Sequence, residues 1–188
     1  MRSAGIWQER HLALPTRKTL RRMENNDYLG NQKQLLDALL AATMKDYAAH
    51  PDMFKGDIVI GANGGVLSLR NNGKGILSGQ ISKAVLPVKD GEMPEETISE
   101  FYPLEPLMRA DVFELHSFHN QECAFLHYEK GERKEFCVYE DMAQDGLLIR
   151  IEHKFDGGVK MEDVIESIKK AKLRWKPEVW FNGERVKY

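Results

Sequence analysis

The sequence predicts an α+β fold, in which an antiparallel sheet of about six to seven strands, arranged as two meanders, is covered on one face by an N-terminal and a C-terminal amphipathic helix. Three observations predict this class. Apolar residues recur at helical spacing near both ends of the chain, short strand-like runs fill the region between them, and several connections are short and carry Asn-Gly pairs.

The N-terminal helix is predicted over residues 31–49. Asn31 is placed to cap its start, and Pro51 follows its end. Its apolar face is predicted to comprise Leu36, Leu39, Leu40, Met44 and Tyr47.

The C-terminal helix is predicted over residues 159–173. Acidic residues lie in its first turn and lysines in its last, which complements the helix dipole. The inward residues are expected to be Met161, Val164, Ile165 and Ile168.

The first meander is predicted from apolar runs at 57–61, 66–70 and 75–86, separated by Asn63-Gly64-Gly65 and Asn71-Asn72-Gly73. Asn-Gly pairs accept the positive φ angles of tight hairpin turns. A phosphate-binding loop is the competing interpretation of these glycines. Hairpin turns are favoured because Lys74 is followed by Gly75 and strand-like residues, whereas a Walker loop needs Lys-Ser or Lys-Thr at the start of a helix.

The second meander is predicted from runs at 108–117, 122–129, 134–140 and 146–155, joined by short connections. An acidic segment with three prolines, residues 89–106, is expected to connect the meanders over the surface, with a short helical turn at 94–101. The tail carries Asn182-Gly183, which predicts a small terminal hairpin.

Composition limits the classes of protein. Hydrophobic residues make up 42% and charged residues 30% of the 188 residues, as in a globular protein, and no apolar run reaches the roughly 18 to 20 residues of a membrane helix. Two cysteines are too few for a disulfide framework, so we expect reduced thiols and a cytoplasmic location. No membrane association is expected.

Charge divides the chain unevenly. Residues 1–22 have six basic residues and one acidic residue, a net charge of +5, which leaves −7 for the remainder. An acidic body argues against nucleic-acid binding. We interpret residues 1–22 as a disordered or non-native extension before a single domain at 23–188, with a transit peptide and an arm that binds nucleic acid or a membrane surface as alternatives.

The candidate site lies at residues 114–127, "ELHSFHNQECAFLH", read as a hairpin with 118–121 as its loop. This register places Glu114, His116, Cys123 and His127 on one face, with His116 directly opposite Cys123. Those four are the predicted catalytic residues. Zinc binding, a Cys–His nucleophile and a carboxylate–histidine acid/base pair are all allowed, but no familiar zinc spacing or catalytic motif is present. We therefore expect no metal and no cofactor.

The leading hypothesis from the sequence is a non-catalytic protein-binding or regulatory module, which contacts another protein or a second copy of itself. It follows from the absence of a strong catalytic or cofactor signature. The alternative is a small-molecule-binding enzyme, acid/base or hydrolytic, with a pocket on the sheet around Glu114, His116, Cys123 and His127.

Overall fold

The structure is a computed structural model, and it describes residues 29–54, 56–85, 102–141, 143–173 and 175–188, without the side chains of 83–85. The predictions for residues 1–22 and for a helical turn at 94–101 lie outside the described residues. Among the described residues, no helix is long and apolar enough to cross a membrane.

Eight strands form one mixed sheet, in the spatial order β5-β4-β3-β6-β2-β1-β7-β8. The strands are β1 Ile58–Asn63, β2 Val66–Asn71, β3 Val112–His119, β4 Glu122–Glu129, β5 Glu132–Glu140, β6 Gly146–Glu152, β7 Val179–Phe181 and β8 Glu184–Arg185. The α+β class is confirmed. The predicted sheet was too small and was purely antiparallel, whereas β7 pairs in parallel with β1.

The helices of the described chain are α1 Gln32–Ala49, α2 Ser78–Val85, α3 Leu104–Leu107 and α4 Met161–Ala171, with a 3₁₀ turn at Pro51–Met53. The predicted helices at the two ends are confirmed as α1 and α4. Asn31 caps α1, since its Oδ1 accepts hydrogen bonds from the backbone N–H of Lys33 at 2.9 Å and of Gln34 at 3.1 Å.

The helices pack on one face of the sheet, which we call the covered face. Alternate strand residues point into this layer and are buried, as the period of two requires. α1 and α4 also contact each other, and ion pairs join them: Lys33 Nζ lies 2.6 Å from Glu166 Oε2, and Lys170 Nζ lies 2.5 Å from Asp37 Oδ2. The opposite side of the strands, the open face, carries half-buried polar and aromatic residues.

Two predicted segments differ from the structure. Residues 75–86 were expected to contain a strand, but Ser78–Val85 form α2. Gly64-Gly65 do turn the β1–β2 hairpin, whereas β2 ends at Asn71 and continues into a loop. The predicted hairpin turn at 71–73 is therefore wrong, because the segment after it folds back as a helix over β4 and β5 instead of pairing with β2.

Candidate functional site

Among the described residues, two groups of polar side chains lie on opposite faces of the same sheet. On the covered face, Thr43, Asp46, Asn71 and Tyr102 form what we call the buried polar cluster. On the open face, Glu114, His127, Arg150 and Glu152 form the open-face cluster. The first was not predicted, and the second includes two of the four predicted site residues.

The buried polar cluster joins α1 to the end of β2 through the phenol of Tyr102. The Asn71 Nδ2 donates to the Tyr102 hydroxyl at 2.9 Å, and that hydroxyl donates to Asp46 Oδ2 at 3.2 Å. Asn71 Nδ2 also donates to Thr43 Oγ1 at 3.4 Å. Asn71 and Tyr102 are each 1% exposed. Because buried polar groups are costly unless they are paired, this network fixes the positions of all four side chains.

Burial determines the protonation behaviour of the cluster. Loss of solvent raises the pKa of Asp46 above its ordinary value, while the Tyr102 hydroxyl and the positive charge of Lys74 act in the opposite direction. Burial and the neighbouring Asp46 carboxylate raise the pKa of Tyr102 far above 10.0, so the phenol stays protonated and acts as the donor. Asp46 is therefore a poorly solvated carboxylate that accepts a hydrogen bond from one neutral group.

A loop of residues 72–77, which we call the glycine loop, leads away from this cluster. Asn71 Oδ1 accepts the Gly73 N–H at 3.1 Å, which shapes the start of the loop. Gly75 has φ +72°, and a Cβ there would collide with the backbone oxygen of Phe118, so glycine is required at this position.

Side chains at the end of β3 hold the glycine loop in place. Ser117 Oγ accepts the Ile76 N–H at 2.5 Å and donates to Ile76 O at 2.8 Å, and His119 Nδ1 lies 2.7 Å from Lys74 O. The loop is thus held across the end of the sheet by Ser117 and His119, which the alternation of β3 places on the covered face.

The four predicted site residues are not all brought together. The β3–β4 turn has two residues, Asn120 and Gln121, both with positive φ, so the strands pair two positions further on than predicted. His116 faces Phe125 and Cys123 faces Phe118. The predicted direct opposition of His116 and Cys123 is therefore wrong, although the side of the sheet assigned to each residue is correct.

His116 lies among aromatic rings, and Cys123 is buried with a hydrogen bond to the Tyr139 side chain. The ring of His116 lies 4.7 Å from that of Phe125, centroid to centroid, and 6.3 Å from that of Phe118. Burial lowers the pKa of His116 and raises the pKa of Cys123, which disfavours both an imidazolium and a thiolate. These two residues lack the environment of an activated nucleophile.

Glu114 and His127 do meet, because they are direct cross-strand partners. Glu114 Oε2 accepts a hydrogen bond from Arg150 Nη1 at 2.8 Å, while its Oε1 lies 3.8 Å from His127 Nδ1. Arg150 also contacts Glu152. The His127 Nε2 is buried; it lies 3.4 Å from Glu129 Oε1 but makes no hydrogen bond. The part of the chain that the structure describes holds no group of three or more His, Cys, Asp or Glu side chains placed to bind a metal.

Two residues of the buried polar cluster, Thr43 and Asp46, could have been recognised from the sequence pattern of α1. Thr43 and Asp46 follow Leu36, Leu39 and Leu40 at helical spacing, so the apolar stripe of α1 continues with polar residues. The predicted face used Met44 and Tyr47 instead, which are only half-buried. Polar residues in the line of an apolar stripe indicate a buried network. Tyr102 carried no comparable signal, since it lies in an irregular segment.

Comparisons with known proteins show the fold. No protein-family model and no curated protein matches the chain. Among solved structures, the chain is similar to the B-subunit of the DNA gyrase from Myxococcus xanthus, with a TM-score of 0.61 and 15% identity over 89% of this chain and 54% of that one. It is also similar to the ATPase region of Saccharomyces cerevisiae topoisomerase II, with a TM-score of 0.56 and 12% identity over 83% of this chain and 49% of that one.

The same yeast ATPase region bound to ICRF-187 (dexrazoxane) matches with a TM-score of 0.56 and 11% identity, over 82% of this chain and 48% of that one. The chain therefore spans about half the length of the proteins it resembles. Because structures with this fold include ATPase regions, the hypothesis of a non-catalytic protein-binding or regulatory module is wrong. The comparisons show for this chain the fold of an ATPase region.

Proposed function

We propose that this chain is the nucleotide-binding part of an ATP-using enzyme, and that adenine binds on the covered face at Asp46 and Asn71. The single observation that carries the proposal is the hydrogen bonding of the Tyr102 hydroxyl, which accepts from Asn71 and donates to Asp46. The fold, which is that of ATPase regions, supports the choice of ligand.

The chemistry of adenine matches this pair of partners. Its edge presents an amino donor next to a ring-nitrogen acceptor, and an Asn side chain can bond such an edge. Asp46 would accept from the amino group and Asn71 would donate to the ring nitrogen. In the structure the Tyr102 phenol fills both roles. Binding of adenine at these groups therefore requires Tyr102 to leave, and Tyr102 acts as a plug in the site.

The glycine loop supplies the contact for phosphate in this proposal. Lys74 is the one basic residue of the loop, and its charge lies near enough to lower the pKa of Asp46. A flexible ammonium group close to the base site suits a phosphate chain, which it can contact as a point charge.

The test measures calorimetric binding of ATP and adenosine to the wild-type chain and three variants. Tyr102→Ala removes the plug, so we expect tighter binding of both ligands. Asn71→Ala lowers the affinity for both, by up to roughly tenfold, because it removes the hydrogen bond to the ring nitrogen. Lys74→Ala lowers the affinity for ATP and leaves that for adenosine unchanged.

Matched controls separate these effects from loss of structure. Tyr128→Ala removes another buried tyrosine, on β4, and leaves the plug in place, so it should not tighten binding. Lys154→Ala removes an exposed lysine outside the loop. A folded Tyr102→Ala variant that binds neither ATP nor adenosine at millimolar concentration, or that prefers GTP, would overturn the proposal.

A second candidate is an acid/base site on the open face at Glu114 and His127. The observation that favours it is the buried Nε2 of His127, which makes no hydrogen bond, together with the His127 Nδ1, which faces a carboxylate oriented by Arg150. His116 and Cys123 are not part of this pair. If this were the ligand site, Glu114→Gln and His127→Gln would abolish nucleotide binding while Asn71→Ala would not.

A further inference from the structure

β5 is the end strand of the sheet, and among the described strands it has a neighbour on one side only, β4. It is also the longest described strand, with nine residues. A long strand with a free edge presents unpaired backbone N–H and C=O groups, which can pair with another strand. The strand at the other end of the sheet, β8, has only two residues and therefore presents a much shorter edge.

The two halves of β5 differ in character. Its first half carries Glu132, Arg133, Lys134 and Glu135, and Lys134 lies at a β-bulge, since Tyr128 pairs with Arg133 and His127 pairs with Glu135. Charges and bulges discourage strand pairing. Its second half, residues 136–139 with the sequence "FCVY", has no charge, and Val138 and Tyr139 are 43% and 42% exposed. The second half of the edge is therefore available for pairing.

We propose that this edge binds a second copy of the chain, in an antiparallel arrangement centred on Cys137. A continuous sheet formed by two copies needs a two-fold axis perpendicular to it, because opposite residues must share a face. A residue therefore has to lie opposite its own copy, and the choice of that residue fixes every other pair.

The charged residues of β5 determine which residue lies on the two-fold axis. With Cys137 at the axis, Phe136 lies opposite Val138 of the second copy, and Lys134, at the bulge beside this pairing, comes next to Glu140 of the second copy, twice by symmetry. Centring on Phe136 would oppose Glu132 to Glu140, and centring on Glu135 would oppose that residue to itself, so both carry like-charge repulsion. Centring on Val138 would oppose Glu135 to Asp141. In the single copy, Lys134 Nζ lies 2.6 Å from Glu132 Oε2. Because this ion pair is exposed and therefore weak, Lys134 can also pair with Glu140 of the second copy.

The expected association is weak. Pairing of two short strands buries less than the roughly 1,200 Å² at which stable interfaces begin, so the dimer should depend on concentration in the micromolar range. This inference does not rest on the nucleotide site, which lies on the covered face at the end of β2.

Cross-linking tests the register. Cys123→Ser leaves Cys137 as the sole cysteine, and diamide oxidises two thiols to a disulfide while taking up their two protons and two electrons. Directly opposite residues have Cβ atoms about 4.5–5.5 Å apart, within reach of a disulfide. We expect a disulfide dimer on a non-reducing gel. The matched control is Cys123→Ser/Cys137→Ser/Glu135→Cys, which has an edge cysteine on the same face but four positions, about 13 Å, from its copy. It should cross-link at least about tenfold more slowly; equal rates would overturn the register.

Charge reversal tests the interface without a covalent bond. Glu140→Lys places two lysines opposite each other, and we expect it to weaken the dimer by roughly tenfold in sedimentation equilibrium. Lys134→Glu/Glu140→Lys restores opposite charges and should recover the wild-type affinity. A double variant as weak as Glu140→Lys, or a wild-type chain that stays monomeric at the highest soluble concentration, would overturn the proposal.

Discussion

The buried polar cluster and the open-face cluster lie on opposite sides of one sheet, and their polar groups differ in exposure to water. On the covered face, Asn71 and Tyr102 are almost fully excluded from water, and each hydrogen bond replaces one to solvent. On the open face, the Arg150 side chain keeps 37% of its exposure, so water and salt compete with its ion pairs. Removal of one partner should therefore cost much more on the covered face than on the open face.

The largest effect is expected from Tyr102→Phe. This change removes the hydroxyl and leaves the Asn71 amide and the Asp46 carboxylate short of a partner, which costs about 1–3 kcal/mol. Urea unfolding followed by circular dichroism measures it. Tyr139→Phe, on the exposed edge strand, is the matched control: its hydroxyl is bonded to the Cys123 thiol, a weak hydrogen-bond partner, so its removal should change stability much less. Equal losses in the two variants would mean that the covered-face network contributes no more than this single phenol–thiol contact.

An intermediate effect is expected from Asp46→Asn, and it depends on pH. Burial raises the pKa of Asp46 in the folded chain, so the folded state binds more protons than the unfolded state above the ordinary value of 3.8. Stability is therefore lost as the pH rises from 3.8 through the folded pKa, and it is constant above that. Because asparagine does not titrate, the stability of Asp46→Asn relative to wild type should increase as the pH rises from about 3.5 to about 7.

Asp163→Asn provides a control of opposite sign. A backbone hydrogen bond from Lys160 lowers the pKa of Asp163, so its contribution is present above 3.8 and is lost as the pH falls through the folded pKa. The stability of Asp163→Asn relative to wild type should therefore decrease as the pH rises. If both variants change in the same direction with pH, the assignment for Asp46 is wrong.

The smallest effect is expected from Glu114→Gln. The ion pair with Arg150 is partly exposed, so its loss should cost no more than about 1 kcal/mol, and less in high salt. Urea unfolding in low salt measures the cost of losing the ion pair. Unfolding in roughly 1 M salt, where the Debye length is about 3 Å, measures how much of that cost is screened. A loss as large as that of Tyr102→Phe would show that the open-face cluster is the more strongly coupled of the two.

Local sequence patterns predicted the features that depend on interactions within a few residues. The cap at Asn31, the charges at the ends of α4 and the Asn182-Gly183 turn each act within a few residues, and each was predicted. The faces of β3 and β4 followed from the alternation of Phe113, Leu115, Ala124 and Leu126. The partners across the hairpin did not, because the register depends on whether Asn120 and Gln121 alone form the turn.

The candidate site required contacts that no local pattern contains. Asn71 reads as a turn residue beside Asn72 and Gly73, and its role appears only when Tyr102, 31 positions away, reaches it. The polar residues at 114–127 are close in sequence, and this proximity was the basis for predicting a common site. In the fold, the two-residue turn sets a register in which His116 and Cys123 are not opposite each other. Ser117 and His119 lie on the covered face, where they bond the glycine loop.

The parallel pairing of β7 with β1 also has a consequence for the order of synthesis. Asn182 bonds both the N–H and the C=O of Ala62, 120 residues earlier, at 2.8 Å and 2.9 Å. During translation, the outer edge of β1 therefore stays unpaired until residues 179–182 have emerged from the ribosome. Closing so long a loop is slow. In a nascent chain stalled before this point, the Ile58 N–H and the Ile60 C=O, which bond Glu178 and Asn182 in the folded chain, would lie on an open strand edge, a state suited to capture by chaperones.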